Sequence, residues 1–126
     1  MMKKSEIGKM GEDIVCDYLK NRGYTIIVRN YRIKGGEIDI IAKNDDFLAF
    51  VEVKTRKKDS LVTGFEAVNN RKKGLIIKTA ADYCTKNPCM LQPRFDVAQV
   101  IIEAGKLLDV DYIFNAYDTT GYNFIF

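Results

Sequence analysis

The sequence predicts a mixed α/β fold, a central β-sheet flanked by helices, with elements in the order α-β-β-β-α-β-β. Three observations predict it. Two segments repeat apolar residues at helical spacing. The stretches between and after them are runs rich in β-branched and aromatic residues, bounded by Gly, Asn and Asp. One of those runs is apolar on both faces, which suits the middle of a sheet covered on both sides.

The first helix spans about 5–22, where Ile7, Met10, Ile14, Val15, Tyr18 and Leu19 form a stripe and Asn21-Arg22-Gly23 supplies a stop. A strand is expected from Tyr24 to Ile33. Lys34-Gly35-Gly36 then lets the chain reverse into a second strand from Glu37 to Lys43. Asn44-Asp45-Asp46 makes the next turn, and a third strand, Phe47 to Thr55, carries Phe50, Val51 and Val53 on both faces. The polar stretch 56–70 reads as a mobile loop whose closing Asn residues could cap a helix. A second helix, 71–86, repeats Leu75, Ile76, Ala80, Tyr83 and Cys84 and stops before Asn87-Pro88. Strands at 95–102 and 107–112 follow, joined at Ala104-Gly105.

The chain's 126 residues, 47% of them apolar, suit one domain over 1–126, with a core from about 5 to 117 and a tail over 118–126. The net charge of +3 is too small to announce a nucleic-acid binder, but it hides an asymmetry. Residues 1–80 carry 17 basic and 11 acidic side chains, whereas 81–126 carry 3 and 6. The densest basic stretches are Lys54-Thr55-Arg56-Lys57-Lys58 and Arg71-Lys72-Lys73, which suit a phosphate backbone or simply a solvated face.

There is no histidine, which removes Ser-His-Asp and Cys-His nucleophiles, a His-ligated zinc site and a histidine general base. Cys16, Cys84 and Cys89 are odd in number and lack CxxC spacing, which argues against a disulfide framework and for a reducing cytoplasm. No apolar run is long enough for a membrane span, and the first ten residues lack a signal-peptide core.

The informative acidic residues are those inside apolar strands, where an ionised carboxylate is costly unless paired or metal-bound. Asp39 lies in Glu37-Ile38-Asp39-Ile40-Ile41, and Glu52 in Phe50-Val51-Glu52-Val53-Lys54. Glu52 and Lys54, two apart, share a face. If Asp45 and Asp46 alone form the hairpin loop, Asn44 opposes Phe47 and Asp39 falls opposite Glu52 on that face; a three-residue loop would separate them. Two facing carboxylates repel, and a divalent cation such as Mg²⁺ relieves the repulsion. Lys54 could then orient an attacking water. The same residues would also serve as a cross-strand ion pair.

Together these residues resemble a known group. An Asp, then twelve intervening residues, then E-x-K, on paired strands behind a helix, is similar to the PD-(D/E)xK superfamily of the restriction-endonuclease-like fold, which includes Holliday-junction resolvases. More specifically, Gly8-Lys9-Met10-Gly11-Glu12-Asp13, Gly23-Tyr24, Arg29-Asn30-Tyr31-Arg32, Gly36-Glu37-Ile38-Asp39-Ile40-Ile41, Val51-Glu52-Val53-Lys54-Thr55-Arg56 and Arg94-Phe95-Asp96-Val97 resemble, in that order, the YraN-like family of small bacterial endonuclease-like proteins.

The resemblance implies catalytic roles for Asp39, Glu52, Lys54 and Glu12. It implies Mg²⁺ or Mn²⁺ held by Asp39, Glu52, Glu12 and the Val53 carbonyl, with Glu37 a weaker candidate. Lys72 falls where the family carries a phosphate-contacting residue, with Arg56, Lys57, Lys58, Arg71 and Lys73 as further nucleic-acid contacts. Gly8 and Gly11 would let the Glu12 helix approach the sheet closely. Arg94 and Asp96 are expected to pair structurally. The implied function is that of an enzyme, a metal-dependent nuclease acting on DNA, more readily than RNA, and on branched or structured DNA in particular. A homodimer is a further expectation, because cutting two strands takes two sites. The alternatives are a nucleic-acid-binding module of the same fold without cleavage activity, and a protein-interaction domain docking through its aromatic tail.

Overall fold

A computed structural model describes residues 2–58, 70–122 and 126. Its elements are α1 (Lys4–Lys20), β1 (Thr25–Ile33), β2 (Gly36–Lys43), β3 (Phe47–Arg56), α2 (Asn70–Lys86), β4 (Gln92–Glu103) and β5 (Lys106–Tyr117). The expected mixed α/β order holds. The strands form one sheet in the order β1-β2-β3-β4-β5, antiparallel except for the parallel pair β3 and β4. The expected loop over 56–70 lies mostly outside the described residues.

The apolar patterning explains the layering. Val15, Cys16 and Leu19 of α1 are buried against Ile40, Ala42, Ala49, Val51, Ala98 and Val100 on one sheet face. Ile76, Ile77, Ala80 and Tyr83 of α2 are buried with Ile41, Leu48, Phe50 and Phe95 on the other. β3 therefore lies centrally and is covered on both faces, as its unbroken apolar run requires. The stop after α1 works as the sequence predicts: the Tyr24 N–H returns to the Leu19 carbonyl at 3.0 Å.

Two glycines set how closely the layers approach. A Cβ on Gly11 would run into the Thr55 hydroxyl of β3, so its absence is what lets α1 lie down on the sheet, as expected. Gly8, the other glycine expected to do this, has open space around its Cβ position and contributes nothing to the approach. On the opposite face a Cβ on Gly36 would meet the Thr79 hydroxyl, so the β1–β2 turn seats directly on α2.

The last two strands are longer than the sequence reading made them. β4 starts at Gln92, because Pro93 is tolerated at the start of a strand and the Gln92 N–H bonds to the Asp46 carbonyl at 3.1 Å. β5 continues past Tyr112 through a bulge between the pairs Phe95–Tyr117 and Val97–Ile113. At that bulge Asn115 takes a left-handed conformation, φ 55°, and donates its N–H to Asp96 Oδ1 at 2.9 Å.

Asp96 is fully buried and anchors a polar network within this core. It accepts Arg94 Nε at 2.9 Å, Arg94 Nη2 at 2.9 Å and the Tyr112 hydroxyl at 2.6 Å, while Arg94 Nη2 also donates to the Tyr24 hydroxyl at 2.7 Å. The Arg94–Asp96 pair thus has the structural placement expected of it. In the tail, Tyr122 lies over Gly74, where a Cβ would come within 3.1 Å of its ring, and donates its hydroxyl to the Asn70 carbonyl at 3.0 Å. The tail ties down the first turns of α2, and Gly74, costly in a helix, leaves room for it.

Candidate active site

The β2–β3 turn fixes the register. Asn44 Oδ1 accepts the N–H groups of Asp46 at 2.9 Å and Phe47 at 2.7 Å, an Asx-type closure that leaves Asp45 and Asp46 as the two loop residues. The Asn44 N–H bonds to the Phe47 carbonyl at 3.1 Å, and the ladder runs from Lys43–Leu48 to Ile40–Val51. One further step sets Asp39 against Glu52, as the two-residue loop requires.

At that step the strands part. Ile40 packs in the α1-side core but Ile38 in the α2-side core, although alternation would put both on one face. Their β1 partners are Arg29 and Tyr31, and Asn30 between them is left-handed, φ 54°, so both strands turn over together. Asp39 sits at this turnover. Its Oδ2 accepts the Val53 N–H at 2.7 Å, where a β2 carbonyl would otherwise bond. A strand residue presents its N–H and C=O to the same edge, so the Val53 carbonyl faces the same gap.

Burial pushes the Asp39 carboxyl up, and the neighbouring Glu52 charge pushes it further, to about 7, against the favourable Val53 N–H. Glu12 and Glu37 add smaller contributions of the same sign. Glu52 is 8% exposed and is held by two ammonium groups at Oε1, Lys72 at 2.6 Å and Lys54 at 3.1 Å. Burial and the adjacent Lys72 draw the Lys54 ammonium below its usual range, against the pull of Glu52. Burial also opposes the charge on Lys72, but the contacts with Glu52 and Lys54 and the field of Asp39 leave it above its ordinary value.

Asp39, Glu52 and Lys72 line a cleft of about 180 Å³ with Gly35, Gly36, Glu37, Leu75 and Ile76. The cleft lies between the β1–β2 turn and the start of α2. Glu37 stands at its rim, paired with Arg32 at 3.2 Å. Glu12 lies on the α1 side, where its Oε1 accepts Asn30 Nδ2 at 3.2 Å and Arg29 Nη2 at 3.4 Å. Asp39 and Glu52 are thus brought together, whereas Glu12 stays on the α1 side with Arg29 and Asn30 and bears on Asp39 through its charge.

Among the described residues, no three Asp, Glu or Cys side chains converge to hold a metal. The donor set must be judged with the backbone included: two carboxylates and the Val53 carbonyl are hard oxygen donors of the kind Mg²⁺ and Mn²⁺ accept alongside waters. The proton-holding tendency of Asp39 beside Glu52 is what a dication at this spot would relieve. The residues fit such an ion.

The basic residues divide. Lys72 turns inward to Glu52. Arg71 and Lys73 line a separate cleft of about 680 Å³ with Asn70, Tyr117, Asp118 and Tyr122, and the Lys73 ammonium lies 5.3 Å from the Tyr117 ring centroid. Arg56, at the end of β3, donates Nη1 to the Thr55 carbonyl at 3.1 Å. Lys57 and Lys58 follow exposed, with Lys57 lining a cleft beside the start of α1.

Two site neighbours escaped the sequence reading. Tyr117 is pushed above the usual phenol range by burial and by the Glu52 charge, which places it within the field of the site. Gln99 is buried in β4 in register with Lys54. Its signal was a lone amide in Val97-Ala98-Gln99-Val100; nothing local marks Tyr117.

Residues 11–100 match the family described as "Uncharacterised protein family UPF0102". Relatives described as "UPF0102 protein" include one from Dictyoglomus thermophilum, 44% identical over 92% of this chain and all of the relative. Another, from Alkaliphilus metalliredigens, is 45% identical with the same coverage. A third, from Clostridium botulinum, is 48% identical over 77% of this chain and 80% of the relative.

Proposed function

The chain belongs to the UPF0102 family, the YraN-like group that its motifs resemble, and on that footing we propose that it is a metal-dependent nuclease hydrolysing DNA phosphodiester bonds, structured or branched DNA in particular. One observation carries the reading: two carboxylates from neighbouring strands, the half-buried Asp39 and the buried Glu52, line one cleft beside the ammonium groups of Lys54 and Lys72. Two carboxylates drawn this far out of water and this close together are expensive unless they serve chemistry.

In this reading Asp39, Glu52 and the Val53 carbonyl would hold Mg²⁺ or Mn²⁺, with Glu37 assisting at the rim and Glu12 adding its charge from the α1 side. The ion supplies Lewis-acid polarisation of the scissile phosphate and a more acidic water. Lys54 positions the attacking water and donates to phosphate oxygen. Lys72, at the first turn of α2, accompanies it. Arg71, Lys73, Arg56, Lys57 and Lys58 contact the nucleic-acid backbone, and a homodimer would supply one site per strand. No described helix is long and apolar enough to cross a membrane, and the cytoplasm is the compartment this reading assigns.

A second reading, a nucleic-acid-binding module without cleavage activity, is favoured by the two lysines that already neutralise Glu52. Calorimetric titration with Mn²⁺ separates the two. The nuclease reading expects binding by the native chain and its loss in an Asp39→Asn, Glu52→Gln double variant. DNA binding without any Mn²⁺ binding by the native chain would select the module.

A further inference from the structure

Gln99 is 7% exposed, and its Oε1 is the one buried side-chain polar atom among the described residues without a hydrogen-bond partner. An orphaned buried acceptor is disfavoured enough that natural cores seldom keep one without use.

Its position suggests the use. β3 and β4 run parallel with Lys54 in register with Gln99. Ala98 and Val100 pack toward α1, so alternation turns Gln99 to the α2 face. Lys54 is on that face too, since it pairs with Glu52, which also meets Lys72 of α2. Lys54 thus has two acceptors on its side of the sheet: Glu52 Oε1, shared with Lys72, and the unpartnered amide oxygen of Gln99.

We infer that Gln99 is a positioning residue, the acceptor that holds the Lys54 ammonium when Glu52 is engaged elsewhere. This rests on the reading of the site above, in which a cation engages Glu52 and displaces Lys54 from it. A neutral acceptor suits the task. It fixes the ammonium beside the cleft without a further negative charge competing for the cation, and it leaves the remaining Lys54 protons for water or phosphate.

The exchange can be tested without any metal. Glu52→Gln removes the charged partner, so Lys54 is expected to move onto Gln99. The Gln99 side-chain NH₂ resonances, assigned by their loss in Gln99→Met, should then shift in Glu52→Gln and hold their native positions in Glu52→Gln, Lys54→Met. No shift in the first variant, or equal shifts in both, overturns the inference. With Mn²⁺, Gln99→Met should weaken binding about tenfold in the native background and leave it unchanged in Lys54→Met. Equal weakening in both backgrounds overturns the inference while leaving the metal reading intact. Absence of Mn²⁺ binding by the native chain, with the NMR exchange present, removes the metal reading alone and leaves Gln99 as the second acceptor of Lys54.

Discussion

The Asp39 carboxylate accepts the Val53 N–H at 2.7 Å, in the seat a β2 carbonyl would fill had the ladder continued beyond Ile40. A side chain thereby substitutes for a backbone partner, and the strands separate without orphaning that donor. The separation turns the Val53 carbonyl toward the gap beside two carboxylates. Site and strand break share one cause, the turnover of β1 and β2 around Asn30 and Asp39.

The folded chain holds the Asp39 proton up to about pH 7, whereas the ordinary value is 3.8. With the folded value raised, the native state keeps the proton longer. Stability from this group is full below about pH 4 and is lost as pH rises toward 7, on the order of 4 kcal/mol before relaxation. Asp39→Asn keeps an acceptor for Val53 and has no proton to lose. In metal-free urea unfolding, its stability relative to the native chain should rise between pH 5 and pH 8. Parallel profiles would show that Asp39 ionises normally.

Gly11 and Gly8 lie in the same helix, yet alanine should act on them with opposite sign. At Gly8 the Cβ meets nothing, so Gly8→Ala is expected to stabilise by about 0.5–1 kcal/mol through helix propensity. At Gly11 it meets the Thr55 hydroxyl, so Gly11→Ala should destabilise by about 1–3 kcal/mol, with partial recovery on adding Thr55→Ala. Thermal unfolding of the four proteins checks this; equal gains at both positions would contradict the packing.

Much of this was legible in sequence. The two-residue loop sufficed to set Asp39 against Glu52, because side chains alternate with a period of two and a single turn length decides the register. Glycine at 11 signalled a close approach, but nothing local separated it from Gly8; only the neighbouring Thr55 does. The switch of Ile38 and Ile40 to opposite faces was illegible, since both are apolar and each face offers a core. The length of β5 was hidden because its bulge depends on Asp96, nineteen residues before Asn115. The inward turn of Lys72 escaped for a similar reason: a basic run reads as surface until the distance from α2 to Glu52 is known.

The Asp96 network makes no claim on catalysis, and its loss should register in folding alone. Asp96→Ala would strand the buried Arg94 guanidinium and the Tyr112 hydroxyl, at a cost of about 3–5 kcal/mol. Tyr112→Phe removes one hydrogen bond to a charged partner and should cost about 1.5–3 kcal/mol. Denaturant midpoints rank the two, and a near-native Asp96→Ala would refute the anchoring role.

If Arg71 and Lys73 contact phosphates, replacing both by alanine should weaken duplex binding without regard to sequence. It should also flatten the plot of log affinity against log salt by about 1.8. Fluorescence anisotropy across a salt series measures this. A slope near zero in the native chain would favour the protein-interaction alternative.

The most direct measurement is cleavage of end-labelled linear, flap and four-way DNA by the purified chain with Mg²⁺ or Mn²⁺, beside Asp39→Asn, Glu52→Ala and Lys54→Ala. Metal-dependent cleavage of at least one substrate, lost on chelation and reduced by a hundredfold or more in each variant, on the order expected for a catalytic group, is the predicted result. Cleavage that survives in the Asp39 and Lys54 variants, or a native chain that binds these DNAs with Mn²⁺ present and cuts none, would contradict it.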